Sequence, residues 1–510
     1  MNQHFDRVTK NWFLLLICFL LLSFSGNLFA QQHFTPLKRG EYKIVEEENR
    51  FFPGAKINGS YEFIVADRKE GLLSGGAFGG KSYQDVSLGF QSKINTNVSL
   101  NVKLGSKSPV VNEQDQAYET RNSSEMSASE NSDGLSVVLD EAYLEYNHNP
   151  NAQLRIGRQY LDIADRRGLI FEGEATAISQ GCRIGTWCYS VGGARLGDEG
   201  ASGVFWLQLD YPVFESGNLI PDPWGKKPTR QEKSFSVELF RVMYGGNDNP
   251  LAEYGGWTGE NSDVHDTTDD TNTGDPVYFD NDGIEYFGMN IIWNHYDFDL
   301  NFTWSNMSGK RDYFASGDSG VTDLGTQSVS GNAFYLDMGY RLSKNWKSSL
   351  LLFSASGNDM DSDDDNIWDG NSNAYFEVKK GSFGDGDALI YFNGRNGIGD
   401  GHSVSNLSFY GLKSAYRSSE EYYTVDLDLY TFSRTNAVLI NDKSEDEKTG
   451  KAIGTEVDVK INWQLEERLF FQMYVAYFQP GDAYSANDSI RPDNNPQDFS
   501  MIGISGQYTF

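Results

Sequence analysis

Beyond its first thirty residues the chain has no apolar run approaching the ~20 residues of a membrane-spanning helix, which excludes a helical membrane protein. Histidine is scarce, six in 510 residues. His33, His148, His265, His295 and His402 fall near the mature start, at short turns or in connections. None lies mid-strand beside a serine or aspartate, so a hydrolytic triad has no basis and we expect no enzyme. Lysine and arginine total 42 against 72 acidic residues, a net charge of −30. The first thirty residues contribute +1 (Asp6, Arg7, Lys10), leaving −31 for the rest. Such a balance excludes nucleic-acid binding, which needs basic patches to neutralise phosphates. Of three cysteines, Cys18 lies in the leading segment, leaving Cys182 and Cys188. Two isolated cysteines give no zinc signature; across so short a loop, in an oxidising compartment, they suggest a local disulfide.

What is present begins with export. Arg7 and Lys10 precede an apolar run over residues 12–22, and Ala30 before Gln31 is a cleavage point, with Leu28 large for the minus-three position. Ile17 before Cys18 argues against lipoprotein processing. The expected organisation is a signal peptide over 1–30, a periplasmic N-terminal segment over 31–57 and a barrel over 58–510. The chain is hydrophilic, with a mean hydropathy of −0.51. Yet it is 14% aromatic, with 53 glycines and only 13 prolines. No low-complexity linker divides it, which favours one large closed sheet over several domains.

The stretch 454–478 shows the local rule. Thr455, Val457, Val459, Ile461, Trp463 and Leu465 share one parity; Glu456, Asp458, Lys460, Asn462 and Gln464 share the other. After a polar turn the alternation resumes through Phe471, Met473, Val475 and Tyr477. This is a hairpin with one apolar and one charged face. Similar segments fall near 58–66, 84–93, 96–104, 135–147, 152–161, 188–196, 203–211, 234–244, 284–295, 297–306, 332–342 and 346–355. Further ones fall near 373–380, 388–393, 406–417, 421–432, 454–465, 469–478 and 499–510. Short connections (95, 147–151, 295–296, 343–345, 418–420, 466–468) alternate with long ones (105–134, 162–187, 212–233, 307–331, 356–372, 433–453, 479–498). The alternation breaks once, between Tyr211 and Gly283, where parity requires no strand or two. Outer-membrane barrels sort their loops in this way. The expected fold is therefore all-β, a transmembrane antiparallel up-and-down β-barrel of about 18 strands (16–20 admissible). Its place is the outer membrane of a Gram-negative bacterium, reached by export, with short turns in the periplasm. Its apolar parity faces lipid and its charged parity faces interior water.

The inward parity gives the candidate pore lining: Glu141, Glu145, Asp297, Asp299, Asp426, Asp428, Glu456, Asp458, Lys460 and Arg155, with Arg158 joining them if a bulge occurs at Gly157. The span 155–195 carries Arg155, Arg158, Arg166, Arg167, Arg183 and Arg195 against four acids, so its long connection is a candidate to fold inward as a basic constriction. A salt-bridged lumen that only stabilises a wide barrel is the alternative. The acidic run at 359–370, with Asp359, Asp361 and Asp363, and the shorter one at 280–283 would bind Ca2+ at most weakly; neither is a complete calcium loop, and no other cofactor is expected.

"EAYLEY" followed by "AQLRIGRQYLDIADRRGLI" resembles the strand pair and GRQ signature of the alginate-export family of outer-membrane barrels. "IGTEVDVKINWQLEERLFFQMYVAYFQPGDAY" resembles that family's closing strands. The resemblance implies an 18-stranded barrel passing an anionic polysaccharide through a basic constriction, with Arg155 and Arg158 on its signature strand and Glu456 and Asp458 as its acidic pair. Alternatives are a general or substrate-specific diffusion porin, and a plugged surface barrel acting through its loops. Expected partners are outer-membrane lipids and lipopolysaccharide, saccharides or small hydrophilic solutes, and the barrel-assembly machinery; we expect a monomer.

The chain ends "DFSMIGISGQYTF", where Ile502, Ile504, Tyr508 and Phe510 share a face. A terminal Phe with an aromatic two residues earlier resembles the signal read by that machinery. Deleting Phe510 should lower the yield of heat-modifiable barrel in the outer membrane at high expression. Unchanged yield would remove the role.

Overall fold

A computed structural model describes residues 55–70, 79–110, 136–149, 151–164, 168–196, 202–221, 229–246, 277–317, 320–357, 371–375, 378, 383, 388–391, 404–418, 423–436, 451–466, 468–481 and 498–509. The first strands are β1 (Ala55–Glu70), β2 (Gly79–Lys93), β3 (Val98–Val110), β4 (Ser136–Asn149), β5 (Ala152–Ile163) and β6 (Phe171–Ile184). Next come β7 (Trp187–Leu196), β8 (Ser202–Pro221), β9 (Thr229–Gly246), β10 (Val277–His295), β11 (Phe298–Gly317) and β12 (Gly320–Ser343). The chain continues through β13 (Trp346–Ala355), β14 (Asn371–Ser372), β15 (Leu407–Arg417), β16 (Tyr423–Arg434), β17 (Ala452–Glu466), β18 (Leu469–Pro480) and β19 (Phe499–Thr509). Each strand but β14 pairs antiparallel with its chain neighbours, and β19 pairs back on β1 from Ser60↔Thr509 to Glu70↔Phe499. The result is a closed 18-stranded antiparallel barrel. The two-residue β14 pairs in parallel with β12, outside the circuit.

The alternation places side chains as their polarity requires. One large apolar residue after another points outward at similar heights: Leu144, Ile156, Ile178, Phe205, Leu239, Phe287, Leu350, Leu412, Leu427, Val459, Val475 and Ile502 are all exposed. Some ten strand residues at ~3.3 Å each, tilted by about 40°, give an apolar band of about 25 Å, the height of a transmembrane barrel's belt. Below it, along the rim carrying the short turns, runs a girdle of rings. Trp187 and Tyr211 have centroids 4.5 Å apart, Trp293 and Phe298 5.2 Å, and Trp346 and Tyr416 5.9 Å. Amphipathic rings settle at a membrane–water boundary. A closed sheet with this belt and girdle spans a bilayer, and such barrels belong to Gram-negative outer membranes. The short turns are tight and self-sufficient: Asn95 Oδ1 accepts the N–H groups of Asn97 (2.8 Å) and Val98 (2.9 Å).

The strand pattern departs from the sequence expectation in six places. The expected connection 162–187 contains β6, whose inward Gly173, Ala175, Ala177 and Ser179 are too small to register as an alternating strand. With β6 counted, the broken alternation is restored. Much of 212–233 and 307–331 is strand rather than loop, in β8, β9, β11 and β12. Conversely, 373–380 and 388–393 are not barrel strands; their described residues belong to a connection folded into the barrel. β1 begins at Ala55, three residues before the expected barrel start, and the expected signal peptide lies outside the described residues.

Val459 sits near mid-strand on the outer face, opposite Leu427 and Val475. Val459→Arg should destabilise the barrel in bilayers by ~2–4 kcal/mol. Asn301→Ala, on the inward parity of β11, should be nearly neutral. Reversion of that order in denaturant titrations of lipid-refolded protein would mean the faces are misassigned.

Candidate functional site: the barrel lumen

The inner wall has two zones. Towards the short-turn rim it is polar and ion-paired. Asp299 accepts from Lys347 Nζ at 3.0 Å, Asp428 lies 3.4 Å from Lys460 Nζ, and Glu145 accepts from Arg155 Nε at 3.1 Å. Lys103 stands 3.8 Å from Asp140 and 4.0 Å from Glu141. Asp426 accepts from Asn462 Nδ2 at 3.1 Å. Asp297 lies exposed at the turn between β10 and β11. Glu145 and Arg155, and Glu141 and Lys103, stand directly opposite on neighbouring strands, Lys460 reaches Asp428 diagonally, and Lys347 on β13 reaches Asp299 on β11 across Gly339 of β12, which has no side chain to intervene.

Towards the long-loop rim the wall turns apolar. Tyr286, Met307, Tyr335, Phe353, Phe409, Tyr430, Phe432, Phe478 and Phe499 point inward and are buried. Two connections cover them. From the β5–β6 connection, Leu169 and Ile170 are fully buried, and the Ala164 carbonyl accepts from Asn290 Nδ2 on β10 at 2.6 Å. From the β13–β15 connection, the Tyr375 hydroxyl bonds Ser305 Oγ at 3.0 Å. Phe383 packs on Phe353 with centroids 4.5 Å apart, and Tyr391 stacks on Phe432 at 4.2 Å. The two connections meet where the Val378 N–H donates to the Ile170 carbonyl at 2.7 Å. The rings are inaccessible, so they form a core that seats the connections rather than a sliding surface for sugars.

Glu456 and Asp458 belong to this seating. Both are fully buried. Glu456 Oε1 accepts the Ile390 N–H at 2.6 Å and Oε2 accepts the Tyr391 N–H at 2.9 Å. Asp458 Oδ2 accepts the Leu389 N–H at 3.1 Å. Three successive backbone N–H groups thus converge on two buried carboxyl groups and satisfy three of their four oxygens.

Of the residues expected to line a pore, Arg155, Glu141, Glu145, Asp299, Asp426, Asp428 and Lys460 lie on the inward parity, whereas Asp297 belongs to the β10–β11 turn. Arg158 is not on the inward parity. The register of β5 against β6 is unbroken at Gly157, so Arg158 shares the outward face with Ile156. The irregularity lies instead on β4, where Lys103 faces Glu141 but Leu104 faces Leu139, skipping Asp140. The Arg158 Nε donates to the Leu139 carbonyl beside that irregularity at 2.9 Å. Gly157 (φ +131°) is required because a Cβ there would strike Ala142 O and Tyr143 Cα. Arg155 is a paired cation, 5.3 Å over the Tyr143 ring. Asp359, Asp361 and Asp363 lie outside the described residues, and the sequence 280–283 falls within β10. Among the described residues no cluster of metal-ligating groups occurs. Sequence reasoning missed Lys347 and Asn290, and it read the apolar segment 388–391 as part of a barrel strand over 388–393.

The disulfide expectation is corrected: both thiols are free. Cys182 stands opposite Tyr189 and Cys188 opposite Arg183, which puts the two side chains on opposite faces of the sheet.

No family model matches the chain, and no curated protein matches it. Among solved structures it is similar to Pseudomonas aeruginosa OccK5 (OpdH), at 11% identity and a TM-score of 0.47 over 90% of this chain and 99% of that one. It is similar to Pseudomonas aeruginosa OccK11 (OpdR) at 10% identity and 0.47, over 89% and 96%. Acinetobacter baumannii OccAB4 gives 11% and 0.46, over 90% and 98%.

Because the two cysteines face apart, the mature chain, unfolded without reductant, should titrate two thiols with a thiol reagent. A titration of none would restore the disulfide.

Proposed function

We propose that this barrel is a passive diffusion channel for small hydrophilic solutes across the outer membrane, with its long connections outside the cell. The observation that carries this reading is the meeting of two inward connections, Val378 to Ile170, above a polar, water-facing wall. A wide tube narrowed part-way by folded-in segments passes small solutes and holds back large ones. Arrangement of the wall charges in pairs argues for weak charge selectivity. Export of an anionic polysaccharide is less well supported: a polyuronate path needs unpaired cations along the lumen. Arg155 is matched by Glu145, Arg158 is on the outer face, and Glu456 and Asp458 hold backbone amides. Lipopolysaccharide around the belt, and the assembly machinery acting on the C-terminal strand, remain the partners this reading implies.

Purified protein in planar bilayers should give discrete conductance steps with cation and anion permeabilities within a fewfold of each other. Uronate oligomers should block no better than neutral oligosaccharides of equal length. Strong, length-dependent block by uronates would reinstate the export reading, and an absence of steps would leave a plugged surface barrel.

A further inference from the structure

At the level of Glu456 the neighbouring strands place Leu351, Tyr430, Phe478 and Phe499 inward, and Gly411 leaves room for the Tyr430 ring. Two carboxylates in such a wall serve no strand pairing and fill no gap that an apolar side chain would not fill better. Three of their four oxygens accept the amides of residues 389–391, and the two carboxyl groups also lie against each other. Asp458 is in turn flanked by the Lys460–Asp428 pair, which holds a cation beside it. Other described polar ties of this connection include Tyr375 to Ser305, Val378 to Ile170, and Asn406 to Asn436 at its base.

We propose that Glu456 and Asp458 are positioning residues that hold the β13–β15 connection inside the lumen and thereby set the bore. This rests on the channel reading above. The anchor works through backbone N–H groups, so its strength is independent of which side chains the turn carries. Without the carboxylates, three N–H groups face an apolar wall with no acceptor, and the turn gains more from water than from its seat. The connection then leaves the lumen at this side, and the passage widens.

The test uses the full-length protein reconstituted in lipid. The Glu456→Leu/Asp458→Leu double variant removes the acceptors. Ile390→Pro removes one donor, lies off the barrel wall and leaves both acids in place. Ile390→Val keeps the donor. Expected results are faster hydrogen exchange at the amides of 389–391 in the double variant. Exchange at Leu389 and Tyr391 should also quicken in Ile390→Pro. Single-channel conductance should rise at least twofold in both, with passage of sugars too large for the unmodified channel. Ile390→Val should match the unmodified protein in every readout. Retained amide protection in a double variant that still runs as a heat-modifiable barrel would overturn the anchor, whatever the conductance. Lost protection with unchanged conductance and size cut-off would overturn control of the bore. Lost protection without conductance in any of the proteins would retain the anchor and overturn the channel reading instead.

Discussion

A lipid interior offers no hydrogen bonds to a peptide group, and every other feature of this chain follows from meeting that constraint. Eighteen strands satisfy it only because β19 returns to β1 over eleven consecutive residue pairs, leaving no edge. Closure fixes which parity meets the acyl chains, hence the single apolar residue per strand at each height. It also creates a lumen too broad for the side chains of the wall to fill by themselves. That void is where the chain's other hydrophobic residues go.

The barrel accordingly has two apolar surfaces of different kinds. The outer belt is exposed to lipid and needs no protein partner. The inner aromatic zone needs one, and two connections supply it with Leu169, Ile170, Phe383, Ile390 and Tyr391. Beneath that zone, charges meet in cross-strand pairs that cancel most of the field an isolated lysine or arginine would exert. The overall acidity of the chain therefore says little about this wall, where Lys347, Lys460 and Arg155 each have a carboxylate partner.

The sequence made the barrel legible because its rule has a period of two and repeats: once Val457, Val459 and Ile461 face out, Glu456, Asp458 and Lys460 must face in. It misled where another structure borrows that pattern. Residues 388–391 are apolar because they are buried inside the lumen, and a strand buried in a sheet would look the same. The opposite error hid β6, whose small inward residues leave room for the β5–β6 connection. Arg158 was misplaced for a third reason. Facing depends on register, an inserted residue inverts it, and the irregularity that sequence inspection put at Gly157 sits one strand away at Asp140. Cross-strand partners are not written in one strand, so ion pairs such as Asp299–Lys347, 48 residues apart, could not be read.

The carboxylates of Glu456 and Asp458 grip main-chain atoms, and the main chain is the same whatever residues it carries. A connection held in this way is free to drift. Changes of side chain along this connection leave the clasp intact provided three successive amides can still reach it. The same amides would meet the same carboxyl groups in a chain whose side chains at 389–391 had all been exchanged. What must be inherited for the seat to persist is the pair of acids on β17, not the sequence that sits in it.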